Sequence, residues 1–543
     1  MLPQEDGMSA SEGKSWRIGD GGNWSFLNGR WADGPDGALI PPDGGGKEYA
    51  AIADHQAYGD FQARFRFKFR CPFGGAQLLF RVQDSSRYYA LDIPWCGQQN
   101  RSRHFWAGVV LADGTPLKRY LSLDLVTGIC PEHDRWYEGR LECTGSRIRA
   151  WIDGRPVADV EDHAYDSGRI GLMSLITIGQ EAPHFADLQV EGSPTEPAPW
   201  PRLEAPAQHW MTPCPEGEPD TFQSYPNIIQ SKSGALTVSV PFGNPNLIET
   251  RYTVWVRSSD GGHTWSDPEP APLPEGFGAS FVRADGTWVC VHVQQDGAAS
   301  EALHAFESSD EGETWNGPKP LDVRGDWPEE FSLRANLSGQ ALRLRGGTLL
   351  LPLYCQVADP PSYQKVYTNF VFRSTDDGIT WAAPVRSDRN NRADPERWFC
   401  SGDFNEIGLA EADDDVVLGF GRPGTWPYMW QVQSNDGGLT WEPAALGPFP
   451  GYCSTLTSTA SGALVATHRF PYLAANVSWD GGVTWDAGTI LDYPLWANQK
   501  AIEVEPDVVL VAYMGHIVEK GQADVRLVRL RVTREGLVLD NEH

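Results

Sequence analysis

No run of 18 apolar residues occurs anywhere in this 543-residue chain, so no helix is expected to cross a membrane. Basic residues are scarce: 44 Lys and Arg stand against 72 Asp and Glu, a formal net charge of −28. Nucleic acid and anionic lipid surfaces both need a basic footprint, so neither is an expected partner. The same charge does nothing to attract an anionic glycan from a distance; such a ligand would need a local cluster of Arg. Cysteine numbers nine, an odd count, without a Cys-x-x-Cys spacing. That argues against a zinc site and against a fully paired disulfide framework, leaving mostly buried thiols as the expectation. No cofactor or metal is expected. The opening residues, MLPQEDGMSASEGK, are polar and acidic and lack the charged and apolar regions of a secretory leader. The expectation is a cytoplasmic protein or a secreted one already trimmed, and the location stays open.

What the chain has in abundance is Trp (22) and Gly (57), a composition suited to many short strands and turns. Both concentrate in one recurring string. SSDGGHTW starts at Ser258, SSDEGETW at Ser308, STDDGITW at Ser374, SNDGGLTW at Ser434 and SWDGGVTW at Ser478. All five fit Ser-x-Asp-x-Gly-x-Thr-Trp and lie 44 to 66 residues apart. The Asp can bond nearby backbone N–H groups, the Gly supplies the backbone freedom of a tight turn, and the Trp buries a large ring. Short apolar runs precede the copies (TVWV, ALHAF, NFVF, MWQV, AANV), so each string reads as a turn between two antiparallel strands. A repeat of this length is that of a four-stranded propeller blade with its loops.

The string resembles the Asp-box of the sialidase superfamily, and residues from about 205 to 535 resemble its six-bladed β-propeller. Five boxes and one unmarked blade, closed by VVLVAYM and VRLVRLRV, would make six. In that family the boxes are structural, so they argue fold and not chemistry.

Residues from about 15 to 195 contain no box. Alternating stretches such as FQARFRFKFR, GAQLLFRVQD and WYEGRLECTG read as half-buried strands. RIRAWIDGRPV, GRIGLMSL and PHFADLQVEG resemble the closing strands of concanavalin/laminin-G-like β-sandwiches of jelly-roll type. That resemblance implies either a glycan-binding module or one that only packs on a partner. Tyr88, Tyr89, Trp95, His104 and Trp106 could stack on a sugar or belong to the core. The expected organisation is an all-β chain: a flexible start over 1–14, the sandwich over 15–195, a Pro-rich linker over 196–208, and the propeller over 209–543.

The resemblance to sialidases implies a site of three Arg gripping a carboxylate, an Asp acid, and a Tyr nucleophile assisted by a Glu. Arg suits the grip because its planar fork meets a carboxylate bidentately. In this chain the first Arg position falls on Ser224, with Tyr225 and Asn227 beside it, a departure that argues against ordinary sialic acid. No Asp aligns with the acid; Glu249 is close, followed by Arg251, and is either the general acid or a solvated loop carboxylate. Glu406 and Arg422 match the family's Glu and second Arg, and Asp403 offers another carboxylate. The third Arg corresponds to Arg469, next to His468, which is an acid–base candidate or a structural histidine. Asn498 aligns with the nucleophile, and Tyr493 is the nearest Tyr. Loops add Arg334, Asn336, Tyr363, Lys365 and Tyr367, while Asp394, Glu396, Arg397 and Trp398 suit a sugar subsite.

Three functions are compatible with these residues. The first is an exo-acting glycoside hydrolase for a terminal sugar other than ordinary sialic acid, with Glu249 as acid and Glu406 or Asp403 activating water or a nucleophile. The second is a polysaccharide lyase for a uronate-linked glycan, such as one of rhamnose and glucuronate, with His468 or a Tyr as base. The third is a glycan-binding protein without catalysis. All three take an oligosaccharide or polysaccharide as partner.

Overall fold

The computed structural model describes residues 16, 24–42, 48–71, 73–96, 105–124, 127–176, 181–199, 208, 210–214, 226–242, 252–273, 278–293, 303–328, 331, 335–337, 340–356, 367–388, 404–423, 428–469, 472–493, 498–518 and 522–540. The chain is all-β and divides into two compact units, Met1–Ala207 and Gln208–His543. No helix among the described residues is long and apolar enough to cross a membrane.

In the N-terminal unit the strand Glu48–Lys68 is the organising element. It pairs antiparallel with Trp24–Leu27, Tyr137–Thr144, Gly168–Ile176 and His184–Thr195. The FQARFRFKFR alternation does what its period of two requires. Phe61, Ala63, Phe65, Phe67 and Phe69 enter one aromatic core. On the other face Gln62 bonds Glu142, Arg66 bonds Asp187, and Arg66 and Lys68 lie over the Trp136 ring. Tyr88, Tyr89, Trp95 and Trp106 are buried, so none of the four offers a stacking surface; His104 lies outside the described residues. The Tyr89 hydroxyl is bonded to Asp162, and its ring stacks on Phe80.

The C-terminal unit has a propeller arrangement. Its first sheet is Asn227–Gln230, Leu236–Phe242, Tyr252–Ser258 and Glu269–Pro270. The second is Ala279–Val282, Trp288–Val293, Leu303–Ser308 and Asn316–Pro320. The third runs from Ala335–Leu337 and Leu342–Arg343 through Leu349–Gln356 and Tyr367–Ser374 to Thr380–Arg386, with Asp322–Arg324 added in parallel at its edge. The fourth is Phe404–Asp413, Val416–Pro423, Tyr428–Ser434 and Ala445–Pro450. The last is Gln499–Glu505, Val508–Val518 and Gln522–Thr533, flanked by Gly536–Leu539 and Met211–Cys214. These five stand as separate sheets, against the six expected. Four further strands, Tyr452–Ser458, Leu464–Arg469, Leu473–Ser478 and Thr489–Asp492, pair antiparallel in that order. Shared cores join first to second sheet, second to third, third to fourth, fourth to the 452–492 strands, and last to first.

Each box closes the third strand of its group, and its bonds are internal. Ser258 Oγ donates to Asp260 Oδ1 and accepts the Gly262 N–H, at 2.7 and 2.8 Å. Thr264 donates its N–H to Asp260 Oδ1 and its hydroxyl to Oδ2, at 2.9 and 2.5 Å. The same bonds recur in the other four copies. In the second copy the Thr314 hydroxyl, the Thr314 N–H and the Ser308 hydroxyl hold the Asp310 carboxyl down at about 2. Gly262, Gly312, Gly378, Gly438 and Gly482 all have φ between +77° and +92°, the left-handed region that costs other residues energy. Arginines reach three boxes through their carbonyls: Arg283 to Asp377 and Gly378, Arg373 to Gly437, and Arg529 of the last sheet to Gly261.

Candidate functional site

The strands of a group share two ends. One carries the boxes. The other carries the start of each first strand, the end of each second and the start of each third. Glu406 and Arg422 lie at this second end of the fourth sheet, Tyr452 and Arg469 at that of the 452–492 strands, and Asn498 immediately before the last sheet's first strand.

Glu406 is placed by a bulge. Asn405 faces Arg422 across the ladder, and the next pair is Gly408 with Phe420. Phe404 and Ile407 both enter the core, and the residue between them and the ladder is forced to φ +52°. A left-handed Glu costs about 1 kcal/mol or more, and such cost collects at functional positions. Its Oε1 accepts a hydrogen bond from Arg422 Nη1 at 2.9 Å, with side chains 20% and 28% exposed. Arg422 lies over the Tyr452 ring, 4.6 Å from the centroid. Tyr452 in turn faces Arg469 across the ladder, and both are buried. The chain Glu406–Arg422–Tyr452–Arg469 is thus continuous from one strand group to the next. It supplies a partly exposed carboxylate, fixed by a cation that a ring supports from below.

Tyr493 follows Asp492 at the same end. Its ring meets Tyr472 edge-on at 4.7 Å, and it is partly exposed. Asp492 accepts from the Tyr513 hydroxyl at 2.9 Å and from Arg526 Nη1 at 2.7 Å, all three being buried. Burial and the Asp492 charge push the Tyr513 phenol well above its ordinary range, so it serves as a donor and not as a nucleophile. Sequence reasoning missed this triad, whose members are 13 to 34 residues apart in chain position; the one available signal was the pair of inward Arg in VRLVRLRV. Along the axis, a cavity of about 210 Å³ is lined by first-strand residues including Leu342, Ile407, Thr455 and Lys500.

Two predicted residues are placed in structural surroundings. His468 takes the structural alternative: it is buried on the strand of Leu464 and Ala466, stacks on Phe449, and shares a 2.8 Å bond with Asn476. Burial pulls its pKa down to about 4, against the raising effect of that bond, so the ring is neutral at pH 7. Asn227 is a structural tie: its Nδ2 donates to the Gly278 carbonyl at 2.6 Å, and its Oδ1 accepts from Gln340 and from the Ile228 N–H. Tyr225, Glu249, Arg251, Arg334, Trp398 and Asp403 lie outside the described residues, as do Ser224, Tyr363, Lys365, Asp394, Glu396 and Arg397. Cys130, Cys143 and Cys290 are free thiols, Cys130 exposed and the other two buried, and the buried Cys71 thiol donates to the Glu181 carbonyl.

Residues 281–494 match a family model described as a BNR repeat-like domain, and residues 12–196 one described as a 3-keto-alpha-glucoside-1,2-lyase-like domain. No curated protein matches the chain. Among solved structures, a protein of unknown function from Dyadobacter fermentans DSM 18053 is 19% identical over 57% of this chain and 95% of its own, with a TM-score of 0.46. The NanB sialidase from Streptococcus pneumoniae is 11% identical over 91% of this chain and 99% of its own, with a TM-score of 0.44. Carbohydrate binding module CBM66 from Bacillus subtilis is 19% identical over 31% of this chain and 95% of its own, with a TM-score of 0.25.

Proposed function

We propose that this chain is an exo-acting glycoside hydrolase of sialidase-like build that removes a terminal sugar other than ordinary sialic acid. The observation that carries the reading is Glu406, a strained, partly exposed carboxylate held by Arg422 at the end of the strands away from the boxes. In this reading Glu406, with Asp403 nearby in sequence, activates water or a nucleophile, and Glu249 protonates the leaving oxygen. Arg422 and Arg469 orient the sugar. The five separate sheets and the 452–492 strands together make six blades over 209–543, and 15–195 makes a β-sandwich. The match of the N-terminal unit to a 3-keto-glucoside lyase-like domain supports a carbohydrate as the ligand.

A panel of aryl sialosides, rhamnosides, arabinosides, galactosides and uronides tests the proposal. Release of aglycone from one non-sialoside, cut at least about a hundredfold by Glu406→Gln with the melting temperature unchanged, is the expected result. Near-normal turnover by that variant would sink it. A second reading, glycan binding without turnover, is favoured by the commitment of Arg422 to Glu406 and the burial of Arg469. It predicts measurable affinity for a glycan that emerges intact.

A further inference from the structure

We infer that Tyr354 and Tyr367 form a second sugar subsite, a stacking platform for a ring of the glycan chain beyond the bond that is cut. The inference rests on the hydrolase reading above and names its substrate class, a glycan of several sugars and not an isolated terminal sugar.

The two tyrosines come from neighbouring strands of the third sheet, Tyr354 near the end of Leu349–Gln356 and Tyr367 at the start of Tyr367–Ser374. Both therefore sit at the end of the strands away from the boxes. The period of two along each strand decides which way they face. Leu349, Leu351, Leu353, Phe370 and Phe372 enter the core shared with the second sheet. Leu350 and Val371, of the opposite parity, enter the core shared with the fourth. Tyr354, Asn369 and Tyr367 have this second parity, so they lie on the face toward the fourth sheet, which carries Glu406. Nearer the boxes that face is aliphatic and buried; at the strand ends it becomes aromatic and half-exposed. The two rings meet edge to face, with centroids 5.3 Å apart and planes at 87°.

Asn369 ties the pair to Glu406. It stands opposite Tyr354 across the ladder, and its Nδ2 donates to the Phe404 carbonyl at 2.7 Å. Phe404 precedes Glu406 by two residues. One ladder rung, one side-chain hydrogen bond and two residues of strand put the Tyr354 and Glu406 backbones no more than about 20 Å apart. The tie is firm: the buried Asn369 donates its N–H to Asp388 Oδ2 at 3.2 Å, and its carbonyl accepts the Ser387 N–H at 3.0 Å. Glu406 thus stands between two different surroundings. On one side Arg422 reaches over Tyr452 of the 452–492 strands. On the other is the tyrosine pair of the third sheet. A terminal sugar oriented by Arg422 leaves the rest of its chain to run toward the tyrosines. A sugar ring has an apolar C–H face and a rim of hydroxyls, and a half-exposed tyrosine offers an apolar face with a polar tip to match.

The test measures kcat and KM on the aryl glycoside that wild type cleaves and on soluble arabinogalactan and rhamnogalacturonan. It compares wild type, Tyr354→Ala, Tyr367→Ala, Tyr354→Phe and Tyr367→Phe, with melting temperatures alongside. Each Ala variant should lose about five- to tenfold in kcat/KM on the polysaccharide, chiefly through KM, with a loss at least about threefold smaller on the aryl glycoside. Y354F and Y367F keep the ring and should stay within about twofold of wild type. Four results overturn the inference with the hydrolase reading intact: no loss on the polysaccharide, equal losses on both kinds of substrate, loss in step with a fall in melting temperature, or an aryl glycosidase that acts on neither polysaccharide. If wild type cleaves nothing, the hydrolase reading falls, and electrophoresis in gels containing the same polysaccharides decides the platform separately. Retardation of wild type that the Ala variants lose supports it; no retardation, or retardation equal in all variants, overturns it.

Discussion

The two ends of the propeller strands follow opposite rules. At the box end the same residue types recur five times, and every Asp oxygen is met by its own string. At the other end, among the described residues, the side chains differ from group to group: a bulged Glu406, an Arg over a Tyr, and a pair of edge-on tyrosines. Repetition marks where the chain secures its own geometry. Left-handed residues occur at both ends, Glu311 and Asp377 within boxes and Glu406 at the other, so what sets the second end apart is its varied set of charged and aromatic side chains.

That contrast can be broken by experiment. The largest effect is expected from Arg422→Leu, which strips Glu406 of its cation and uncovers the Tyr452 ring. Turnover should fall about a hundredfold, roughly 3 kcal/mol, with a small change in melting temperature. A large melting shift with unchanged turnover would move this pair from the site to the scaffold. Next comes the buried His468. Its folded pKa of about 4 lies below the ordinary 6.5, so the unfolded chain binds the extra proton. Stability should be full above about pH 6.5 and fall by up to about 3 kcal/mol as pH drops to about 4, measured by denaturant unfolding; a flat profile over that window would place the ring in contact with water. At the box end, Ser308→Ala removes the hydroxyl that bridges Asp310 and Gly312. It should cost about 1–3 kcal/mol of stability and leave kcat/KM unchanged. Loss of activity without loss of stability would erase the distinction between the ends. The smallest effect is that of Tyr452→Leu, which withdraws a cation–π contact of about 1 kcal/mol and should cost a few-fold in kcat/KM.

The legibility of the sequence divides along the same line. The boxes could be read because their partners lie within seven residues, so the string contains its own structure. The Glu406–Arg422 pair was readable for a similar reason, being two neighbouring strands of one hairpin. Tyr452 beneath Arg422 belongs to the next strand group, and Asp492, Tyr513 and Arg526 come from three strands; no local spacing announces such meetings. The choice between the two readings of His468 was not legible because its strand, LVATHR, is buried at every position and so has no polar–apolar alternation to reveal which way the ring points. The aromatics of the N-terminal unit took the core alternative for a related reason. Tyr88, Tyr89 and Trp95 sit on a strand whose residues are buried on both faces, and Trp106 is buried just before the next strand. The bulge at Glu406 inserts residues into a ladder whose apolar pattern continues on either side, so its strain was invisible beforehand.

The seam between the last sheet and the first also sets the order of events in folding. Met211–Cys214 can join its sheet only by pairing with Gln522–Thr533, and Arg529 reaches the Gly261 carbonyl across 268 residues of chain. The arginine bonds to the other boxes span less chain, 94 and 95 residues for Arg283 and 64 for Arg373. Each doubling of a loop adds only about 0.6 kcal/mol of closure entropy, but contacts this distant cannot form until the intervening hairpins have collapsed. The seam is therefore expected to form late in folding. Removing the residues from 522 onward would strip Met211–Cys214 and Val508–Val518 of their pairing strand and uncover the core shared by the last and first sheets.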